Sequence, residues 1–285
     1  MLINKTFGDI KITVDTKGAE LKNLVKNNRD FMWIADSKYW GKSSPVLFPF
    51  VGGSKDNKYK YQGKEYETGR HGFARDNEFV LVEEGEKNLK FLYKSDQNSL
   101  KLYPFNFEFY LNYVITNNGV NIEYIVVNKE DGDMYFSLGA HPAFIADKYP
   151  IEDYYLEFSK EETLSLYTLE GMFVGRNPKS YIENENKISL NKDIFNNDAL
   201  IFNNPKSEYL SLKNIHDSEE IKVSLKEFPW LGIWSPPGAP FVCIEPWCGL
   251  ADFVDHNGEL TEKDGVNKLA KGEKFERVME IIVNN

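Results

Sequence analysis

Phe107-Glu-Phe-Tyr-Leu-Asn-Tyr-Val-Ile-Thr-Asn-Asn-Gly-Val-Asn-Ile-Glu-Tyr-Ile-Val126 decides the fold. Phe107, Phe109, Leu111, Tyr113 and Ile115 share one parity and alternate with Glu108, Tyr110, Asn112 and Val114. After Asn117-Asn118-Gly119 the alternation resumes at Val120, Ile122, Tyr124 and Val126. Successive side chains of a strand point to opposite faces, so this pattern marks two half-buried strands, and an Asn-Gly pair between them marks a hairpin turn. Outward from it, similar runs recur at residues 10–14, 78–82, 89–93, 155–158 and 275–283, and the acidic stretch 83–88 reads as a solvated hairpin tip. Helical spacing is confined to a turn or two near residues 34–39 and 193–196. Many short strands separated by Gly, Asn, Asp and Pro turns predict an all-β sandwich. At 285 residues such a chain buries a substantial core, and residues 1–285 are expected to form a single domain.

Composition narrows the partners. A net charge of -10 argues against nucleic acid, which needs a basic stripe. No stretch reaches eighteen consecutive apolar residues, and Met1-Leu-Ile-Asn-Lys-Thr6 runs straight into strand-like alternation without a signal segment, so a soluble, cytoplasmic protein with no membrane partner is expected. Cys243 and Cys248 are too few for a disulfide framework, and their spacing brings no His or Cys cluster that would complete a zinc site; they read as reduced packing residues, with no metal. Gly52-Gly53 is not followed by a Gly-Lys-Ser/Thr pattern and is no phosphate cradle, and no cofactor is expected.

Three stretches carry chemistry. Phe241-Val-Cys-Ile-Glu245-Pro246-Trp247 ends an apolar run on a carboxylate; Pro246 cannot donate to a ladder, so the strand is expected to stop there. Among Trp234, Phe241 and Trp247, burial would push the Glu245 pKa toward neutrality, where a general base works best. Taken alone, such a Glu is more often a loop cap or the partner of a Lys. Arg70-His71-Gly72-Phe73-Ala74-Arg75 and Leu138-Gly139-Ala140-His141-Pro142-Ala143-Phe144 hold two of the four histidines. His exchanges a proton near pH 7 without special tuning, and a residue before proline favours extended backbone, which puts His141 at a strand end. One such histidine is usually structural; two beside a buried glutamate suit proton movement on a polyol.

His71-Gly-Phe-Ala-Arg75, Gly139-Ala-His141-Pro-Ala-Phe144, Asn197-Asp198-Ala-Leu-Ile-Phe202 and Ser235-Pro-Pro-Gly-Ala-Pro-Phe241 through Glu245-Pro-Trp-Cys-Gly249 together resemble the aldose 1-epimerase (galactose mutarotase-like) family, most closely its divergent branch, whose members are often encoded beside sugar-utilisation genes. The ordered blocks span about residues 45 to 255. The resemblance implies a large antiparallel β-sandwich of stacked sheets and a cofactor-independent isomerase acting on a small-molecule sugar. It implies Glu245 as base, His141 as acid at the ring oxygen, His71 as a neighbouring catalytic histidine and Asp198 as a sugar-binding carboxylate. Aromatic residues are 14% of the chain, and Trp234, Phe241 and Trp247 could cover the C–H faces of a pyranose, although core packing is the commoner use of such rings.

One position departs from the resemblance. Family members usually carry a sugar-contacting arginine after the glycine of the block that here reads Phe48-Pro-Phe-Val-Gly52-Gly53, and this chain has Gly53 there. Arg70, Arg75 or Lys55 could supply the donor, though lysine lacks the planar fork. The expected activity is aldose 1-epimerisation. The alternatives are hexose 6-phosphate 1-epimerisation, a non-catalytic carbohydrate-binding sandwich, and a glycosidase using Glu245 with Asp198, which would have no need of the two histidines.

Overall fold

The computed structural model describes residues 1–284. Its strands are antiparallel and fall mainly into three sheets. The largest has nine strands in the spatial order Lys179–Ser189, Tyr154–Leu166, Tyr209–Asn214, Glu220–Ser224, Lys274–Asn284, Gly119–Asn128, Phe107–Thr116, Asn88–Lys94 and Val80–Glu84. The second runs Leu200–Asn203, Trp230–Trp234, Phe241–Cys248, Leu138–Ala140 and Val46–Leu47, with Ala143–Ile145 also paired to Phe241–Cys248. A third, four-stranded sheet covers Leu2–Phe7, Ile10–Asp15, Glu20–Lys26 and Arg29–Asp30. This is the all-β sandwich expected from the sequence, with helix limited to Ser99–Leu102 and four short 3₁₀ turns among the described residues.

The two large sheets meet through one apolar core. Phe48, beside the second sheet's edge strand, stacks on Phe109 at a ring separation of 4.7 Å and meets Phe107 edge-on at 5.1 Å. Phe107, Phe109, Leu111, Tyr113 and Ile115 are all buried while the alternate residues are half-exposed, as the period of two requires. Each fully buried Phe of this kind contributes about 2–3 kcal/mol by area removed from water.

The decisive hairpin differs from expectation at its turn. Thr116 pairs with Gly119, so only Asn117 and Asn118 form the loop and Gly119 opens the return strand. Its glycine serves close approach: a Cβ there would sit 1.9 Å from the Ile281 carbonyl oxygen of the neighbouring strand. The expected helical turns at 34–39 and 193–196 are isolated hydrogen-bonded turns, Trp40 N–H to the Asp36 carbonyl at 3.0 Å and Asn196 N–H to the Asp193 carbonyl at 3.0 Å. The run at 78–82 starts later, at Val80–Glu84, because Glu78 bridges Lys17 of another segment instead. The run at 155–158 is part of the thirteen-residue Tyr154–Leu166, whose outer half is polar and bulged and so shows no apolar alternation.

The strand Phe241–Cys248 also continues through Pro246, where the sequence suggested an end. Its neighbour on one side is interrupted: Gly139 pairs with Trp247 and Ala143 with Cys243, while His141 and Pro142 leave the ladder between them. Ile244 N–H donates toward that side, to the Pro142 carbonyl at 3.2 Å. Backbone groups alternate sides along a strand, so Pro246 faces the same gap and its missing N–H breaks no bond.

Candidate active site

The gap in the ladder is where the site forms. Glu245 on the unbroken strand and His141 in the break face one another, with His141 Nε2 3.3 Å from Glu245 Oε2. Glu245 is 2% exposed and His141 7%. Trp40 stacks on the His141 imidazole at 4.7 Å and 27°, and Trp234 meets it edge-on at 5.8 Å. Burial pushes the Glu245 carboxyl well above its usual range, with Asp198 adding to the rise while the Arg70 charge and the Trp247 indole oppose it. His141 is pushed down to about 3, mainly by burial and secondly by the Arg75 and Arg70 charges. Both displacements favour a pair that is neutral when the site is empty.

His71 stands beside His141, the two rings 5.7 Å apart and nearly perpendicular. It is clasped to Gly52 twice: Gly52 N–H donates to His71 Nδ1 at 3.0 Å, and His71 N–H donates to the Gly52 carbonyl at 2.8 Å. These bonds hold His71 at φ +69, a left-handed conformation that His tolerates better than most residues. Because Nδ1 accepts, the proton of the neutral ring lies on Nε2. Burial, then the charges of His141 and the two arginines, keep His71 well below its usual pKa.

A cleft of about 240 Å³ is lined by these three residues and by Arg70, Arg75, Asp198, Trp234 and Trp247. Eight of the nine residues expected at the site therefore line one cavity; Phe241 does not, being fully buried and stacked on Trp33 at 4.6 Å. Arg70 Nη2 lies 4.0 Å from Asp198 Oδ2, both partly exposed. Arg75 is turned inward, its Nη2 donating to the Arg70 carbonyl at 2.9 Å, so it braces the loop that carries His71. Asp198, at φ +71, accepts the Ala199 N–H at 2.8 Å and precedes the strand Leu200–Asn203. Eight buried side-chain polar atoms have no hydrogen-bond partner among the described residues, and four of them belong to residues that line this cleft: Arg75 Nε, His141 Nδ1, Glu245 Oε2 and Trp247 Nε1. Unpaired buried donors and acceptors are destabilising by about 1–3 kcal/mol each, so their concentration in one cleft fits a polar ligand that completes them.

Trp40, Leu169 and Met172 are among the cleft residues that the sequence did not single out. Trp40 lies in the polar turn after residue 36, held by its carbonyl accepting the Trp33 indole N–H at 2.8 Å and by Glu20 accepting the N–H groups of Ser43 and Ser44. Leu169 and Met172 come from a small hairpin, Leu169–Glu170 with Phe173–Val174. Gly53 packs beneath this hairpin: a Cβ there would lie 3.2 Å from the Met172 Cβ, tighter than an ordinary contact, so a side chain at this position requires the hairpin to give. A Trp in a loop of polar residues was the one available signal; the Met172 contact had none.

The fold also does what cysteine spacing could not foretell. Cys243 sits two residues before Glu245 on the same strand face, and ligand atoms of His141, Cys243 and Glu245 all lie within 4.8 Å of one another, every one buried. The model of the aldose 1-epimerase family matches residues 2–281. A galactose mutarotase related enzyme from Lactobacillus acidophilus superposes with a TM-score of 0.95 at 33% identity, covering 100% of this chain and 98% of that one. A galactose mutarotase-like protein from Lactobacillus casei gives 0.95 at 27%, with full coverage of both. Protein LacX of Lactococcus lactis subsp. lactis is 29% identical over 97% of each chain.

Proposed function

The chain belongs to the aldose 1-epimerase family, in the divergent branch associated with sugar utilisation, and from that premise we propose that it interconverts the α and β anomers of a neutral monosaccharide. The observation that carries the reading is the buried His141–Glu245 pair, 3.3 Å apart in a cleft rich in unpartnered polar atoms. Glu245 takes the proton of the C1 hydroxyl; the O1 electrons form the aldehyde C=O, the C1–O5 bond breaks, and O5 takes a proton from His141. Rotation about C1–C2 and the reverse transfers close the other anomer.

The proton count balances without any outside group. The neutral pair of the empty site, a protonated Glu245 and an unprotonated His141, holds the same single proton as the charged pair that starts ring opening. The Arg70 charge stabilises an ionised Glu245 while it disfavours a protonated His141, so the charged pair is the less stable arrangement, and ring opening returns it to the neutral form. His71, with its proton on Nε2, donates to the ring oxygen or an adjacent hydroxyl. Asp198 and Arg70 read hydroxyls, while Trp234 and Trp247 cover C–H faces.

Arg70 already faces Asp198 and Arg75 is engaged with backbone, which favours a neutral sugar over a hexose 6-phosphate. The two buried free cysteines suit a reducing compartment, and the reading includes a cytoplasmic location. No helix among the described residues is long and apolar enough to cross a membrane. Polarimetry on freshly dissolved α-glucose and α-galactose tests the proposal: the protein accelerates the drift to equilibrium without consuming sugar. A drift no faster than in buffer, with the sugar bound, would leave a binding module; loss of a glycoside at constant anomer ratio would leave a glycosidase.

A further inference from the structure

We propose that His141 Nε2, Cys243 Sγ and a carboxylate oxygen of Glu245 form a zinc-binding site inside the cleft, and that Zn²⁺ held there shuts the enzyme off by occupying the acid and the base together. The site follows from strand geometry. Cys243 and Glu245 project from the same face of Phe241–Cys248, and the break at His141–Pro142 swings the imidazole over them. Zinc bonds of ~2.1 Å at tetrahedral angles put neighbouring ligand atoms ~3.4 Å apart. His141 Nε2 and Glu245 Oε2 are already at 3.3 Å, and no pair in the trio exceeds 4.8 Å, so closure takes a shift of about an ångström.

The donor set selects the ion. One thiolate, one imidazole and one carboxylate suit zinc, whereas Mg²⁺ and Ca²⁺ take oxygen ligands. Cys243 offers no other chemistry: it is fully buried among Trp33, Ala143, Ala239 and Phe241 and is not part of the proton transfer. Glu245 Oε2 has no hydrogen-bond partner, so the metal displaces no existing bond there. His141 and Glu245 line the cleft, which is the side from which a fourth ligand would come. Binding is balanced by release of two protons, one from the Cys243 thiol and one from the Glu245 carboxyl, His141 being unprotonated already.

The binding claim stands on geometry; only the inhibitory consequence rests on the proposed epimerase chemistry. The experiment adds Zn²⁺, Co²⁺, Mg²⁺ or Ca²⁺ to the whole, metal-free chain under a non-thiol reductant, and reads stoichiometry by competition with a chromophoric chelator. One equivalent of Zn²⁺ is expected, with none of Mg²⁺ or Ca²⁺. The Co²⁺ complex should show thiolate-to-cobalt charge-transfer absorption. Cys243→Ser and Cys243→Ala should each weaken Zn²⁺ at least tenfold and abolish that absorption, while Cys248→Ser, altered at the thiol that contacts the Glu227 carbonyl, should leave both as they are. Absence of the charge-transfer band in the wild type, or zinc binding undiminished in both Cys243 variants, overturns the site. Cys243-dependent zinc binding in a chain that never accelerates anomer exchange upholds the site and removes the epimerase reading. Anomer exchange that continues unslowed with the Cys243 site filled refutes the inhibitory half.

Discussion

Replacing Glu245 by glutamine keeps the shape of a fully buried side chain and removes its ability to take a proton. One positioned base is worth roughly 10² to 10⁴ in turnover, about 3 to 5 kcal/mol of barrier, with a smaller change in sugar affinity. Stability moves the other way. The folded-state pKa of Glu245 lies above its unfolded value near 4.5, so below pH 4.5 the carboxyl is protonated in both states and has no effect. As pH rises from there toward the folded pKa, the unfolded chain releases a proton that the folded chain retains, and wild type loses up to ~1.4 kcal/mol per pH unit. Glutamine has no such loss, and its amide N–H can face His141 Nε2 as the protonated carboxyl does. Wild-type and variant Tm should therefore agree near pH 4.5 and separate in favour of the variant by about 3 °C per pH unit above it. Thermal melts at pH 4.5, 5.5 and 6.5, with polarimetric turnover at one neutral pH, measure both. Near-normal turnover would falsify the base assignment, and a variant Tm that falls below wild type with rising pH would refute the claim of a raised pKa.

Further outcomes follow from the same geometry. His141→Ala should cut turnover by roughly 10² to 10⁴, with near-normal turnover removing it as the acid; His71→Ala should be milder in turnover but should lower Tm, because it strands the Gly52 N–H and puts alanine at φ +69, and His71→Asn should recover part of that loss. With His141 and His71 held unprotonated, the rate should show no inflection near pH 6.5, while stability should decline as pH falls below 6.5 because the unfolded chain takes up protons the folded one refuses; a rate step at 6.5 that vanishes in His141→Ala would contradict this. Gly53→Arg should raise KM for galactose by displacing the Met172 hairpin, and adding Met172→Ala should relieve it; a double variant no better than the single would count against that contact. Glucose or galactose should be preferred over glucose 6-phosphate in kcat/KM, and a tenfold phosphate preference abolished by Arg75→Ala would reverse the choice of substrate.

Much of this was legible in the residues because the relevant patterns are local. The period of two at 107–126 fixes both strands of the hairpin, since a single slip would expose Phe107 through Ile115. Glu245, His141 and His71 stand in short strings that carry their own backbone signals, Pro after His141 and Gly after His71. Trp40 and Met172 escaped because their roles depend on contacts with residues about a hundred positions or more away, His141 and Gly53 respectively. Pro246 misled for a related reason: whether a proline ends a strand depends on what faces its nitrogen, and here an interruption in another strand faces it. Cys243 was read from its spacing to Cys248, whereas its neighbours are His141, from a different strand, and Glu245.

The break at His141–Pro142 separates two kinds of heritable change. His141 lies between two short segments that both pair with the strand of Glu245, so the separation of the proposed acid and base is inherited from strand spacing and persists as long as those pairings do. Arg70, Asp198, Trp40 and Met172 ride on connecting segments that can lengthen, shorten or exchange side chains without moving that pair. On the proposed reading, a lineage can trade one sugar for another by editing loops while the proton-transfer pair stays in place, and Gly53 beneath Met172 has the character of one such edit.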